Sequence, residues 1–316
     1  MLQIIKCNNE TFHELTLDTL EKGAWINLIN PTEEEIEAVH KVTNVPLDFL
    51  RAALDEEERS RTEIEKDCML VLTNIPIMRG KDEYDTLPLG FILIPNNIIT
   101  VCLENNQILA EFNYDNAKTF STVKRTRFLF QVLYKSATYY LKYLKQINRR
   151  TDEIESHLRR SMKNSEIFQL LELQKGLTYF TASLRSNGIV MEKLMRLRST
   201  SHLQHLIPMY EEDEDLLEDA IIENKQAIEM VEMYSHILNG MLETFASIIS
   251  NNLNIVMKFL ACMTIILAIP TAIASVWGMN VALPFQSSPH GFIYIMAISA
   301  VITALSAIGL WKKGMF

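Results

Sequence analysis

Two apolar runs near the C-terminus dominate the hydrophobic pattern. FLACMTIILAIPTAIASVW (Phe259 to Trp277) and FIYIMAISAVITALSAIGLW (Phe292 to Trp311) are each about twenty residues, enough to cross roughly 30 Å of hydrocarbon as a helix. Between them lies a short segment, residues 278–291, that ends in VALPFQSSPHG. Its two prolines and two serines make the pair read as a membrane hairpin. Ahead of the first run, apolar residues recur at helical spacing (Ile221, Ile228, Val231, Leu238, Leu242, Phe245, Ile249), and no proline occurs before Pro270. The spacing predicts one helix from Asp213 to Val276, about 64 residues and roughly 95 Å long. Its first part, 213–258, is a stalk, and 259–277 is the first membrane span.

Residues 123–212 carry two further long helical patterns, read as antiparallel arms, with Asn164 and Ser165 as start signals of the second. Residues 1–122 alternate instead between short apolar runs and helical pieces. Strands are predicted at Leu2 to Lys6, Ala24 to Ile29, Met69 to Ile77, Gly90 to Pro95 and Asn97 to Leu103. Helices are predicted from Asn30, with Asn30 as cap and Pro31 in the first turn, and from Pro46. This is an α/β layer domain, and the fold class as a whole is an α+β membrane protein.

Composition sharpens the division. The chain has 316 residues and a net charge of −9, yet from Phe259 to Trp311 it contains no Asp, Glu, Lys or Arg. The negative balance argues against nucleic acid as a partner. Lys258 precedes the first span and Lys312 and Lys313 follow the second. The positive-inside rule then places both termini in the cytosol, with 312–316 a basic cytosolic tail and 278–291 outside, in the cell (inner) membrane. The N-terminus lacks an apolar core of signal-peptide length, so the body is expected to stay where it is made. Four scattered cysteines (Cys7, Cys68, Cys102, Cys262) without a CxxC fit buried thiols in a reducing cytosol. The acidic stretch Glu211 to Asp219 suits the positive end of a helix.

The first span has a distinct face. Steps of three and four pass through Asn254, Met257, Ala261, Thr264, Ala268, Thr271, Ser275 and Gly278. Every member after Met257 is small or hydroxylated, whereas the other faces carry Phe259, Leu260, Ile265, Ile266 and Ile273. Two readings follow: close packing between membrane helices, or the wall of a water-filled pore. One helix cannot enclose a pore, so the second reading requires a ring of subunits. In the second span, Ala297, Ala300, Ala304 and Ala307 form a small face, with Ser299, Thr303 and Ser306 nearby, read as packing.

The tripeptide Gly278-Met279-Asn280, directly after the first of two C-terminal spans, together with the stalk and Lys312-Lys313, resembles the CorA family of magnesium channels. The resemblance covers the whole chain. It implies a homopentameric funnel in which the first span lines the pore. By position, Gly278, Met279 and Asn280 match the family's selectivity element at the outer mouth. Asn254, Met257 and Leu260 match constrictions near the inner end, and Thr271 matches a hydroxyl ring midway. Ala261, Thr264, Ala268 and Ser275 complete the pore-lining set. Asp219, with Glu223 one turn on, falls where the family has a regulatory cation site between subunits. Lys312 and Lys313 look like its basic ring at the cytosolic mouth. Two features depart from the family: the connector has no carboxylate, and Ala268 stands where a larger residue is often found.

The implied cargo is Mg²⁺, with Co²⁺ or Ni²⁺ possible and Mg²⁺ also acting as regulator. Mg²⁺ sheds its waters reluctantly, so a mouth that offers Asn280 side-chain carbonyls to a still-hydrated ion fits better than one with fixed carboxylates. A zinc transporter of the ZntB type shares the architecture and is the alternative, although Met279 and the shortage of His and Cys in the hairpin count against it. A membrane-anchored sensor or enzyme is the alternative of a different class. No phosphate-binding Gly loop, HExxH or GxSxG occurs, and the expectation is a non-enzyme.

Overall fold

The computed structural model describes all residues except 9–10, 162–163, 198–203, 281–283, 285–287 and 316. It divides into two compact units, Met1–Asn239 and Gly240–Phe316. The first is built on a seven-stranded sheet. Its strands are β1 (Leu2–Asn8), β2 (Thr11–Leu15), β3 (Trp25–Ile29), β4 (Arg61–Glu65), β5 (Cys68–Met78), β6 (Tyr84–Leu93) and β7 (Ile98–Cys102). They lie in the order β2-β1-β3-β7-β6-β5-β4. The β3–β7 pair is parallel and the others are antiparallel.

Strands β5, β6 and β7 are buried on both faces, which is why they read as continuous apolar runs rather than alternating ones. On one face, α1 (Glu33–Thr43) and α2 (Leu47–Arg51) set Ile36, Val39, Phe49 and Leu50 against Ile26, Leu28, Leu70 and Ile99. The other face is covered by α4 (Arg125–Ser161), α5 (Asn164–Leu197) and the start of α6 (Glu211–Trp277), with the short α3 (Gln107–Ala110) at its margin. There Phe128, Leu133, Val190, Leu194 and Leu217 pack on Trp25, Val71, Leu89 and Phe91. All four cysteines are buried and free. Burial pushes the thiols of Cys7, Cys68 and Cys102 up, which keeps them protonated and inert.

Some local expectations are corrected. The cap of α1 is Thr32, not Asn30. The Thr32 hydroxyl accepts from Glu35 N, and the Glu35 carboxylate accepts from Thr32 N, a reciprocal capping box. Asn30 instead takes a left-handed φ of 44° at the end of β3. Strands β2 and β4 do not appear among the predicted ones. Each is a sheet edge with mostly polar, exposed residues, so neither carries an apolar run.

The far end of β5 is closed by a side chain. β4 stops pairing at Arg61, opposite Leu72, while β5 continues to Met78. In place of a strand, Asn187 of α5 pairs with the backbone of Asn74. Its Oδ1 accepts from Asn74 N at 2.9 Å, and its Nδ2 donates to Asn74 O at 2.7 Å. The Ser60 hydroxyl donates to the same Oδ1 at 2.8 Å, and Tyr140 OH donates to Asn74 O at 2.8 Å. This amide stands in for a ladder residue and ties α5 to the sheet edge. Gly176 allows the approach further along α5, because a Cβ there would lie 2.9 Å from Tyr84 Cβ and 3.1 Å from Tyr84 O.

Helix α6 is a single helix of 67 residues. Its first turn holds Glu211, Glu212, Asp213 and Glu214, as the acidic stretch suggests. Asp213 accepts from Tyr210 N at 3.2 Å, and Arg127 hydrogen-bonds Glu212 and holds its carboxyl below the usual range. In the second unit, α6 continues through Pro270 to Trp277, and α7 (Gly291–Lys312) follows.

Candidate functional site: the open face of the membrane hairpin

Within the hairpin, α6 has two unlike sides. Cys262 is buried, and Ile266, Ile269, Pro270, Ile273 and Trp277 are half-buried. These positions recur every three or four residues, so they form one face, the one that α7 covers. Cys262 Sγ donates to Met315 O at 3.4 Å, beyond the end of α7. Asn254, Met257, Leu260, Ala261, Thr264, Ala268, Thr271 and Ser275 are all exposed, as is every residue from 246 to 261. Thr264, Ala268, Thr271 and Ser275 line an open groove together with Leu267 and Ala272. Leu267 and Ala272 flank the expected stripe by one helical step and were recoverable only by widening it. The Thr264 and Thr271 hydroxyls each donate to the carbonyl one turn back, Leu260 O and Leu267 O, at 2.9 Å. That leaves their oxygen lone pairs turned outward as acceptors.

Gly278, Met279 and Asn280 follow the helix and are exposed. Gly278 N donates to Ala274 O at 2.9 Å and Met279 N to Val276 O at 3.2 Å. These two carbonyls are therefore capped. A Cβ at Gly278 would meet only Ala274 O at 3.4 Å and Ser275 O at 3.6 Å, ordinary contact distances, so nothing within one chain requires glycine there. Most of the connector, 281–283 and 285–287, lies outside the described residues.

In the second span one chain covers the hydroxylated side. Its covered positions are Gly291, Ile295, Ser299, Thr303, Ser306, Ala307 and Leu310, whereas Ala297, Ala300 and Ala304 are exposed. The hydroxylated side of α7 faces its neighbour because Ser and Thr let the backbones approach closely. The alanine side is left free apart from Ala307. Lys258, Lys312 and Lys313 are exposed. Lys312 occupies the last turn of α7, where a cation meets the negative helix end.

In the other unit, Asp219 is exposed and Glu223 half-exposed, one turn apart on α6. Among the described residues no group of three His, Cys, Asp or Glu could hold a metal ion. One chain alone therefore brings together the small, hydroxylated stripe of the first span but, among the described residues, not a complete cation site on α6.

The apolar stretches of both long helices are almost wholly exposed, unlike the core helix of a soluble domain. A large mixed-sheet body is thus followed by two helices long and apolar enough to span a membrane, the first with a small, hydroxylated stripe. The sequence matches the family described as CorA-like Mg²⁺ transporter protein over residues 21–312, and the chain belongs to that family. The cobalt/magnesium transport protein CorA of Methanocaldococcus jannaschii is 27% identical over 288 residues, 88% of this chain and 86% of that protein. The complete structure of the CorA magnesium transporter from the same organism aligns with a TM-score of 0.84 at 24% identity, covering 100% of this chain and 99% of that one. The cytoplasmic domain of ZntB from Vibrio parahaemolyticus aligns with a TM-score of 0.58 at 15% identity, over 79% of this chain and 96% of that domain. The two structural likenesses concern the fold.

Proposed function

We propose that copies of this chain form a ring, five by resemblance to the family, that conducts hydrated Mg²⁺ passively into the cytosol. Co²⁺, as the name of the Methanocaldococcus jannaschii relative suggests, and Ni²⁺ are secondary cargo. The observation that carries the reading is the small and hydroxylated stripe of α6, which α7 leaves open together with the apolar Phe259, Met263, Ile265, Leu267 and Val276. Facing lipid, those hydroxyls and Asn280 would serve nothing; facing the axis of a ring, they offer acceptors to the waters of a hydrated cation. Asn280 and the preceding Gly278-Met279 stand at the outer mouth, with Thr271 midway. Asn254, Met257 and Leu260 narrow the inner end, and Lys312 and Lys313 ring the cytosolic side. An inside-negative potential drives entry by about 2.3 kcal/mol per charge per 100 mV, and by about twice that for a divalent ion. Native mass spectrometry of the detergent-solubilised chain should give a pentamer; a monomer or dimer would rule out a pore built on this face.

In this reading cytosolic Mg²⁺ gates the ring. Asp219 and Glu223 are hard oxygen donors suited to Mg²⁺, too few in one chain but sufficient where neighbouring α6 helices meet. Bound ions would bridge carboxylates that otherwise repel, hold the closed arrangement, and release it when cytosolic Mg²⁺ falls. Limited proteolysis reads this directly. Millimolar Mg²⁺ should protect the wild type, and Asp219→Ala should lose part of that protection. A mutant protected as well as wild type would remove Asp219 from the sensor.

A further inference from the structure

Helices α4 and α6 both start at one hollow of the first unit, about 620 Å³ and open to solvent. The two starts differ in charge. The first turn of α6 carries Glu211, Glu212, Asp213 and Glu214. α4 begins with Arg125, directly after Lys124, and has no acid in its first turn. Arg127 of α4 hydrogen-bonds Glu212 of α6, which holds the two starts one ion pair apart. The first backbone bond of α4 runs from Phe128 N to Lys124 O. The N–H groups of Arg125, Thr126 and Arg127 precede it and have no carbonyl of the helix to serve.

Two side chains at the start of α4 are also short of partners. Thr126 is 2% exposed, and its hydroxyl has no hydrogen-bond partner among the described residues. The Cα–Cβ bonds of a helix tilt toward its N-terminus, so Thr126 points back to the hollow, which it lines. A buried hydroxyl left unpaired is costly and marks a missing group. Arg125 is half-buried, and it donates to two backbone carbonyls, Ile94 O and, at 3.3 Å, His205 O. With no carboxylate to offset it, burial pushes the Arg125 pKa down. Free N–H groups at a positive helix end, a hydroxyl and an unneutralised guanidinium suit phosphate oxygens. The facing wall holds Glu211, which is exposed and has no cationic partner among the described residues. That wall would repel a bare phosphate. Mg²⁺ removes the conflict, because it binds through one or two carboxylates together with phosphate oxygens and keeps its other waters. We propose that this hollow binds a Mg²⁺-chelated polyphosphate, with phosphate oxygens on Thr126, Arg125 and the start of α4, and the ion on Glu211. Tyr210, 70% exposed at the rim, offers a ring on which the base of a nucleotide stacks. The site needs one chain only and lies apart from the transport face.

Equilibrium dialysis of the full chain in detergent, against labelled ATP or labelled pyrophosphate, tests this with excess Mg²⁺ and again with EDTA. At least one of the two should bind saturably with Mg²⁺ and at least tenfold more weakly in EDTA. Pyrophosphate binding as well as ATP assigns the site to the polyphosphate. ATP binding tenfold more tightly assigns it to a nucleotide, and Tyr210→Ala should then remove the difference. Thr126→Val is isosteric and deletes a hydroxyl that bonds nothing in the protein. The variant should therefore keep its Tm, while the Mg²⁺ complex binds about tenfold more weakly, the loss of one charge-assisted hydrogen bond. Glu211→Gln should weaken the Mg²⁺ complex about tenfold yet bind the metal-free ligand no worse than wild type, since a repelling carboxylate is gone. The proposal is overturned if neither ligand binds at millimolar concentration, if EDTA changes nothing, or if both variants bind the Mg²⁺ complex as well as wild type.

Discussion

Replacing Asn280 by alanine should reduce selective Mg²⁺ uptake to background while leaving assembly intact. Asn280 is exposed at the end of the open face of α6, and the connector residues after it supply no carboxylate. Its side-chain carbonyl is then the principal acceptor for the waters of an entering ion, and alanine offers none. The same uptake assay gives a contrast of opposite sign. Met257 and Leu260, three positions apart on α6, are 57% and 58% exposed, and in the proposed ring an apolar constriction there would resist wetting. Met257→Ala should therefore raise leak at high cytosolic Mg²⁺. Normal uptake by a well-expressed Asn280→Ala protein would remove it from the mouth, and unchanged or lower leak in Met257→Ala would remove the gate.

The second large effect is on stability. Asn187→Leu deletes the three hydrogen bonds that its amide makes with Asn74 and Ser60. Tyr140 still serves the Asn74 carbonyl, but the Asn74 N–H is left without an acceptor at a covered strand edge. An orphaned donor together with the lost bonds costs on the order of 3 kcal/mol. For a body of this size that corresponds to a fall in Tm of roughly 5–10 °C. Asn187→Asp, which keeps the acceptor and loses the donor, should fall between the two. Thermal unfolding of the full chain in detergent, followed by near-UV circular dichroism, measures it. A Tm for Asn187→Leu within about 2 °C of wild type would mean that the clip contributes little.

What could be read from the chain depended on how far each feature departs from its surroundings. The two spans were legible because over fifty consecutive residues lack charge. β5, β7 and the end of β6 were legible because both of their faces are buried, which leaves an unbroken apolar run, whereas the first part of β6, with Asp85, Thr86 and Pro88, was not. Edge strands β2 and β4 bury little and look like loop. Asn187 looks like any polar helix residue, since its partner Asn74 is 113 positions away and nothing local signals a strand edge in need of an amide. The small stripe of the first span was visible at helical spacing. In the second span small residues were visible on two neighbouring sides, and only packing within the chain distinguishes Ser299 and Thr303 from Ala300 and Ala304. The carboxylates Asp219 and Glu223 were found by position, but their use depends on a neighbouring chain, which no single sequence can place.

Purified protein reconstituted in liposomes, with an inside-negative potential and a trapped Mg²⁺ indicator, tests the account most directly. The account predicts Mg²⁺ entry that needs no energy source beyond the potential, collapses when the potential is removed, and exceeds Zn²⁺ entry in the same preparation, with Co²⁺ and Ni²⁺ also admitted. Liposomes that stay impermeable to all four ions, or that admit Zn²⁺ in preference to Mg²⁺, would contradict it.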